Sequence, residues 1–202
     1  MQILSRRDLF RVLPAGAAAC LGCAGLSVCA AQSAAQTTPP SPANRFDEKA
    51  DMTWQQVFNL TYKGYAHVMK KLASEIGHDA FLAMLQKAES EKTVQQITLM
   101  VQSAPARDLG TFEYWMKTQP IQRGALVYDV LEENAAAFEI HVSQCLWAKT
   151  FRAQDAGDIG YASICAQDYI ATTTFNPKMR LIRTKTLMQG DDCCNHRWVM
   201  ET

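Results

Sequence analysis

The spacing of apolar residues changes near Pro120, and this change restricts the folds that the chain can adopt. Before Pro120, apolar side chains recur every three to four residues, which is typical of helices that bury one face. After Pro120, two short runs over 126–131 and 137–142 are rich in β-branched and aromatic residues and are separated by Glu-Glu-Asn. This pattern predicts an antiparallel hairpin.

Helix-capping and helix-ending residues divide the helical part into segments. Thr53 is a predicted N-cap, and Gly77 is the predicted stop of the first helix. Helical spacing then predicts a second helix over 79–89, a third over 93–103 and a shorter one over 108–118.

The end of the chain returns to helical spacing before a second predicted hairpin. Helices are predicted over 145–154 and 159–173, and strands over 179–188 and 194–200 flank Gly-Asp-Asp. The predicted order is helices followed by β-β-α-α-β-β, so we expect an α+β fold built on an antiparallel sheet. Residues 52–202 are long enough to form this fold as a single domain.

The first 51 residues predict export. Arg6 and Arg7 precede an uncharged run over 12–31 and small-residue cleavage candidates, which is the form of a twin-arginine signal peptide over 1–31. Residues 32–51 are rich in proline and small polar residues and predict a disordered linker. We therefore expect a periplasmic protein that meets the twin-arginine translocase during export.

A membrane anchor is the alternative for the same leader. Proline and glycines interrupt its apolar run, which is also rich in alanine and too weak for a stable span. A lipoprotein signal ending at Cys29 is a second alternative, although bulky Val28 precedes that cysteine. We expect no stable membrane span after cleavage.

Charge excludes one class of partner. The chain has 20 basic and 20 acidic residues, and without residues 1–31 it has 17 and 19. A domain so close to neutrality lacks the basic surface that nucleic acids require. A small molecule is the expected partner.

Four of the seven cysteines lie outside the leader, at positions 145, 165, 193 and 194. An oxidising compartment allows disulfides, so pairing of Cys165 or Cys145 with Cys194 is one alternative. Burial of these thiols as small apolar side chains is another.

Spacing predicts that two reactive pairs meet. Cys165 and Asp168 are three apart on a predicted helix and share a face. Cys194 and His196 are two apart on a predicted strand and also share a face. A helix packed on the second hairpin would bring both pairs into one cleft.

The same region contains four motifs in a recognisable order. They are Cys165-Ala-Gln-Asp168, Phe175-Asn176-Pro177-Lys178, Arg183-Thr184-Lys185-Thr186-Leu187-Met188-Gln189-Gly190-Asp191 and Cys194-Asn195-His196-Arg197-Trp198. Over 138–198 the chain resembles the L-2-amino-thiazoline-4-carboxylate hydrolase family. The resemblance implies a hydrolase that acts on C–N bonds of a small cyclic amidine or amide.

This resemblance implies roles for the reactive residues. Cys165 or Cys194 would be the nucleophile or a substrate contact, Asp168 would position water or bind the amidine nitrogens, and His196 would relay protons. We also expect substrate contacts from three further residues, and three cations are candidates to pair with a carboxylate. The contacts are Asn176, Thr184 and Cys145; the cations are Arg183, Lys185 and Arg197.

Other interpretations remain open. The domain would be a non-catalytic binding or sensor domain if its cysteines are paired or buried. Asn before Pro favours a turn, so the alternative for Asn176-Pro177 is a structural connection rather than a ligand. A zinc site of Cys145, Cys165, Cys194 and His196 is a third alternative, but their spacing is not typical of zinc ligands, so no cofactor is predicted. Cys193 is an extra thiol relative to the family pattern, and Asn195 stands where an acidic residue is common.

Overall fold

The computed structural model describes residues 52–201. The predicted signal peptide over 1–31 and the predicted linker over 32–51 lie outside this part of the chain. In the described part, no helix combines the length and the apolar character needed to cross a membrane.

The first half of the described chain is helical. A π-helical turn over Asn59–Lys63 joins α1 to α2, and Gly77, at φ 100°, separates α2 from α3. The helices are α1 (Trp54–Phe58), α2 (Gly64–Ile76), α3 (His78–Ser103), α4 (Leu109–Thr118) and α5 (Pro120–Ala125). Thr53 caps α1 as predicted, because its hydroxyl accepts from the Gln56 N–H while the Gln56 side chain accepts from the Thr53 N–H.

One helix replaces two that the sequence predicted. The segments expected over 79–89 and 93–103 form the single helix α3. No glycine or proline stands between them, and the buried residues keep one helical face throughout. These residues are Phe81, Leu85, Thr93 and Ile97.

The second half forms the antiparallel sheet that the sequence predicted. Within residues 52–201 the sheet has four strands in the order β1-β2-β4-β3. The strands are β1 (Leu126–Glu133), β2 (Ala137–Cys145), β3 (Met179–Ile182) and β4 (Cys194–Met200). Between β2 and β3 lie α6 (Leu146–Arg152), α7 (Gly157–Gly160), a π-helical turn (Tyr161–Cys165) and α8 (Gln167–Phe175). The predicted α+β class and element order are confirmed.

The third strand is shorter than predicted. β3 ends at Ile182, and a 3₁₀ turn over Leu187–Gln189 takes the place of the expected strand end. The backbone N–H groups of Thr184 and Lys185 donate to the Asn195 side-chain oxygen rather than to a neighbouring strand. Side-chain hydrogen bonds therefore replace the ladder at the point where the chain turns.

Aromatic packing fixes α8 against the sheet. Trp198 of β4 is buried, stacks on Phe138 at 5.5 Å and donates its Nε1–H to the Thr172 hydroxyl of α8 at 3.0 Å. Phe175, at the end of α8, packs on Phe112 of α4 at 5.3 Å. Each such buried aromatic contributes on the order of 1.5–3 kcal/mol through removal of apolar area from water.

Gly160 tests how tightly the helical core is packed. A Cβ at this position would lie 2.6 Å from Met188 Sδ and 2.7 Å from Phe151 Cγ. Because overpacking forces neighbours out of their rotamers, we expect Gly160→Ala to lower the free energy of unfolding by about 1–3 kcal/mol. Urea unfolding of the purified domain measures this change.

Gly64→Ala is the matched control, since a Cβ at Gly64 meets nothing within 4 Å and Gly64 is helical. It should raise stability by roughly 0.5–1 kcal/mol. Equal effects of the two substitutions would contradict the packing described.

Candidate active site

A cavity of about 120 Å³ lies between the sheet and the chain that enters α8. Its wall contains the four residues for which the sequence predicted catalytic roles, together with Cys145. The four are Cys165, Asp168, Cys194 and His196. The side chain of Asp168 is 41% exposed, so the carboxylate connects the cavity to solvent. The predicted meeting of the two reactive pairs is present.

Local structure explains this meeting. Cys165 ends the π-helical turn, and Asp168 lies in the first turn of α8. On the sheet, Cys194 pairs with Val142 and His196 pairs with Ile140, and all four side chains line the cavity. Alternate residues of β4 thus form one wall of the cavity, and the start of α8 forms the opposite wall. Single-turn π-helical segments are frequent at functional sites.

Arg183 joins the two walls. Its side chain is only 1% exposed, and its Nη1 lies 2.5 Å from Asp168 Oδ2 and 3.1 Å from His196 Nε2. Nη2 donates to the Cys165 carbonyl oxygen at 2.9 Å, and the guanidinium lies 5.0 Å from the Tyr169 ring centre. Burial alone would lower the pKa of Arg183, but the Asp168 carboxylate together with Cys165 and Tyr169 more than offsets burial, so the pKa of Arg183 is raised. Arg183 therefore remains a cation inside the protein.

The sequence did not predict that Arg183 contacts both walls of the cavity. It predicted only that Arg183 is one of three cations that could pair with a carboxylate. The alternation of buried and exposed residues along β3 could have predicted that Arg183 is buried. Met179 and Leu181 are buried, and Arg183 continues the same face. A cation on a buried face needs a partner in the interior.

His196 is held in one orientation by its neighbours. A guanidinium only donates hydrogen bonds, so Nε2 is the acceptor in its contact with Arg183, while Nδ1 is buried without a hydrogen-bond partner among the described residues. Asp168 Oδ2 lies 3.5 Å from the same Nε2. The ring also stacks on Trp198, with centroids 5.4 Å apart and planes 12° apart. His196 is thus an oriented base with a carboxylate beside the atom that would gain a proton.

The three cavity thiols are protonated at neutral pH. Burial raises the pKa of Cys145 to about 11, and burial together with the Asp168 carboxylate raises the pKa of Cys165 further above the ordinary range. Burial also raises the pKa of Cys194, but the Leu187 N–H, 3.2 Å from its Sγ, and the Arg183 charge act in the opposite direction. Cys194 is the cavity thiol with the most direct stabilisation of a thiolate.

All four cysteines of the described chain are free thiols. Cys193 does not line the cavity. Burial, and to a smaller extent the neighbouring Asp192, raise the pKa of the Cys193 thiol. Within residues 52–201, no three His, Cys, Asp or Glu side chains are placed so that they could hold a metal ion.

Two predicted substrate contacts lie elsewhere. The Asn176 side chain donates to the Arg107 carbonyl and accepts from the Lys178 N–H, so it holds the turn after α8. The Thr184 hydroxyl accepts from Asn195 Nδ2 at 2.9 Å. Neither residue lines the cavity, because both serve the connections around β3.

The same hydrogen bonds account for Asn195. Its Oδ1 accepts from two backbone N–H groups, and its Nδ2 donates to Thr184. A carboxylate at this position could accept but not donate. The remaining cations, Lys185 and Arg197, pair with Asp192 and Glu132 outside the cavity.

The raised thiol pKa values make stability depend on pH. A thiol whose pKa rises on folding from 9.0 to about 11, as for Cys145, stabilises the fold fully below pH 9. This contribution is lost as the pH rises through 11, because the unfolded chain ionises first. We expect the loss to reach roughly 1.4 kcal/mol per pH unit for each such thiol.

Cys145→Ala should therefore flatten the alkaline limb of the stability curve, even if it lowers stability at neutral pH. Urea unfolding between pH 7 and about pH 11 compares the two proteins while every other ionising group stays the same. Parallel curves would show that Cys145 is not buried as a thiol.

Solved structures with partial likeness to the chain include the following two. One is a trafficking protein particle complex subunit 3 from Naegleria fowleri covalently bound to palmitic acid, with 13% identity and a TM-score of 0.43 over 69% of this chain and 95% of that chain. The other is the phenol-responsive sensory domain of the transcription activator PoxR with phenol, with 15% identity and a TM-score of 0.44 over 68% and 73%. No curated protein matches the chain.

The family comparison covers most of the described chain. Residues 55–198 match the sequence model of the L-2-amino-thiazoline-4-carboxylic acid hydrolases. This match spans the helices, the sheet and every residue that lines the cavity. The chain therefore belongs to the L-2-amino-thiazoline-4-carboxylic acid hydrolase family.

Proposed function

We propose that the protein is a hydrolase that opens a C–N bond in a small cyclic amidine or amide, of the kind represented by L-2-amino-thiazoline-4-carboxylate. The observation that carries this proposal is the convergence of two thiols, a carboxylate and an imidazole on one cavity around Arg183. The cavity volume of about 120 Å³ also suits a small substrate, since pockets for drug-sized ligands occupy roughly 300–1,000 Å³.

In this proposal Cys194 is the nucleophile. His196 lies on the same face of β4, and in its neutral form it can take the thiol proton at Nε2 as the sulfur bonds to the amidine carbon. Arg183 then turns its Nη1–H fully to Asp168, which also faces the imidazolium from 3.5 Å. The Leu187 N–H stabilises the forming thiolate.

The remaining steps return the protein to its starting state. As the sulfur bonds to the amidine carbon, the C=N electron pair moves to the ring nitrogen. His196 transfers two protons to this ring nitrogen, one from the thiol and one from the exocyclic nitrogen, and the ring C–N bond then breaks. Water attacks the carbon bound to Cys194 and releases the opened product, while the thiol regains its proton. Cys165 and Cys145, which have the higher barriers to ionisation, contact the substrate as neutral thiols.

A non-catalytic binding or sensor domain is the second candidate function. The raised pKa values of all three cavity thiols favour it, because a protonated thiol is a poor nucleophile. The two functions differ in whether a bound cyclic amidine is converted.

Substitutions at the cavity test the catalytic roles. We expect Cys194→Ser, His196→Gln and Asp168→Asn each to lower kcat for L-2-amino-thiazoline-4-carboxylate by on the order of 10²–10⁴, because each removes the nucleophile or a proton-transfer partner. Turnover by the purified mature protein measures this effect, and circular dichroism checks folding. Cys193→Ser is the matched control, since Cys193 adjoins Cys194 but does not line the cavity.

Unchanged turnover in Cys194→Ser would remove Cys194 from the mechanism. A wild-type protein that binds cyclic amidines in calorimetry but converts none would support the binding function instead.

We also propose that the protein is exported by the twin-arginine pathway and works in the periplasm. The support is Arg6-Arg7 followed by the uncharged run over 12–31. Replacing both residues, Arg6→Lys with Arg7→Lys, should leave a full-length precursor in the cytoplasm, as measured by cell fractionation and immunoblotting. Arg11→Lys is the control, and export of the double variant at the normal level would contradict the assignment.

A further inference from the structure

An outer groove of about 320 Å³ adjoins the cavity. Cys145 lines both spaces. A second link is Leu187, which lines the groove while its N–H donates to Cys194 Sγ on the cavity wall. The groove and the cavity therefore meet at Cys145, Leu187 and Cys194.

The groove is lined by two cations, of which Arg152 also lines a neighbouring pocket that contains Asp155 and Asp158. Lys149 and Arg152 line the groove, both are exposed, and neither forms an ion pair within residues 52–201. No aspartate or glutamate is among the residues that line the groove. Arg152 is also oriented, because its Nη1 donates to the Leu187 carbonyl oxygen at 3.2 Å.

The cavity binds an anion less favourably than the groove does. The charge of Arg183 is already taken by Asp168 at 2.5 Å, and the guanidinium is buried. A second carboxylate in the cavity would lose its hydration and face the Asp168 charge without a free cation. A positively charged amidine group, in contrast, is attracted to Asp168.

We propose that Lys149 and Arg152 bind the carboxylate of the substrate in the outer groove while the amidine ring enters the cavity past Cys145. This inference rests on the proposed function and assigns the residues that bind the carboxylate of its substrate. The two cations are specificity-determining residues and take no part in bond breaking. The two spaces divide the substrate by charge, with the anion outside and the amidine inside.

The test compares L-2-amino-thiazoline-4-carboxylate with 2-amino-thiazoline, which lacks the carboxylate. Removing both charges, Lys149→Gln with Arg152→Gln, should raise KM for the carboxylate compound by about 10- to 100-fold with little change in kcat, since each lost charge contact is worth roughly three- to tenfold in affinity. The KM for 2-amino-thiazoline should change by less than about twofold. Added salt should weaken binding of the carboxylate compound in the wild type and not in the double variant.

Two further variants control for trivial causes. Lys87→Gln with Lys178→Gln removes the same net charge from exposed residues that line neither the groove nor the cavity, and it should leave both KM values unchanged. Arg152→Lys keeps the charge and should retain most of the affinity. Equal loss of affinity for the two compounds, or no loss for the carboxylate compound, would overturn the inference while leaving the hydrolase intact.

Calorimetric binding separates this inference from the proposed function. If the wild type converts neither compound, the proposed hydrolase fails, and the inference is then decided by binding alone. Tighter binding of the carboxylate compound that depends on Lys149 and Arg152 supports the groove. Binding that is absent or independent of these residues overturns it.

Discussion

The buried ion pair between Arg183 and Asp168 connects the two parts of the molecule on which the candidate site depends. Asp168 belongs to α8, and Arg183 follows β3, so their contact ties the helix to the edge of the sheet. A buried guanidinium is costly unless its hydrogen bonds are satisfied. Here the Asp168 carboxylate, the Cys165 carbonyl and the His196 ring nitrogen all accept from its two Nη atoms, whereas its Nε is buried without a hydrogen-bond partner among the described residues. The cation thus organises the cavity wall from inside the protein.

The same contacts set the resting chemistry of the site. Arg183 donates to His196 Nε2, which orients the imidazole. Burial keeps the thiols of Cys145, Cys165 and Cys194 protonated. Cys145 accepts the Ala148 N–H at 3.5 Å and Cys194 accepts the Leu187 N–H at 3.2 Å, but the Arg183 charge also lowers the pKa of Cys194. In the proposed mechanism, proton transfer from a thiol to the imidazole would create a charged pair at the position where Arg183 and Asp168 can stabilise it.

Charge is distributed unevenly between the inner and the outer space. The cavity contains one cation and one anion that neutralise each other, whereas Lys149 and Arg152 line the groove outside and no acidic residue is among its lining residues. Leu187 connects the two spaces, because its carbonyl accepts from Arg152 and its N–H donates to Cys194. The short 3₁₀ turn that begins at Leu187 is therefore both a structural connection and a boundary of the site.

The sequence by itself determined the element types, their order and the two reactive pairs, because helical and strand spacing decide which side chains share a face. Cys165 with Asp168 and Cys194 with His196 could be paired in this way without coordinates. The sequence did not show that α3 is continuous. It also did not show that β3 ends early, because hydrogen bonds to the Asn195 side chain compete with strand pairing after β3. Asn before Pro already favoured a turn at Asn176, but only the tertiary structure decided that Asn176 and Thr184 hold turns, buried Arg183 beside Asp168 and raised the thiol pKa values. These features depend on residues distant in the chain that meet in a space without water, and local spacing carries no information about that environment.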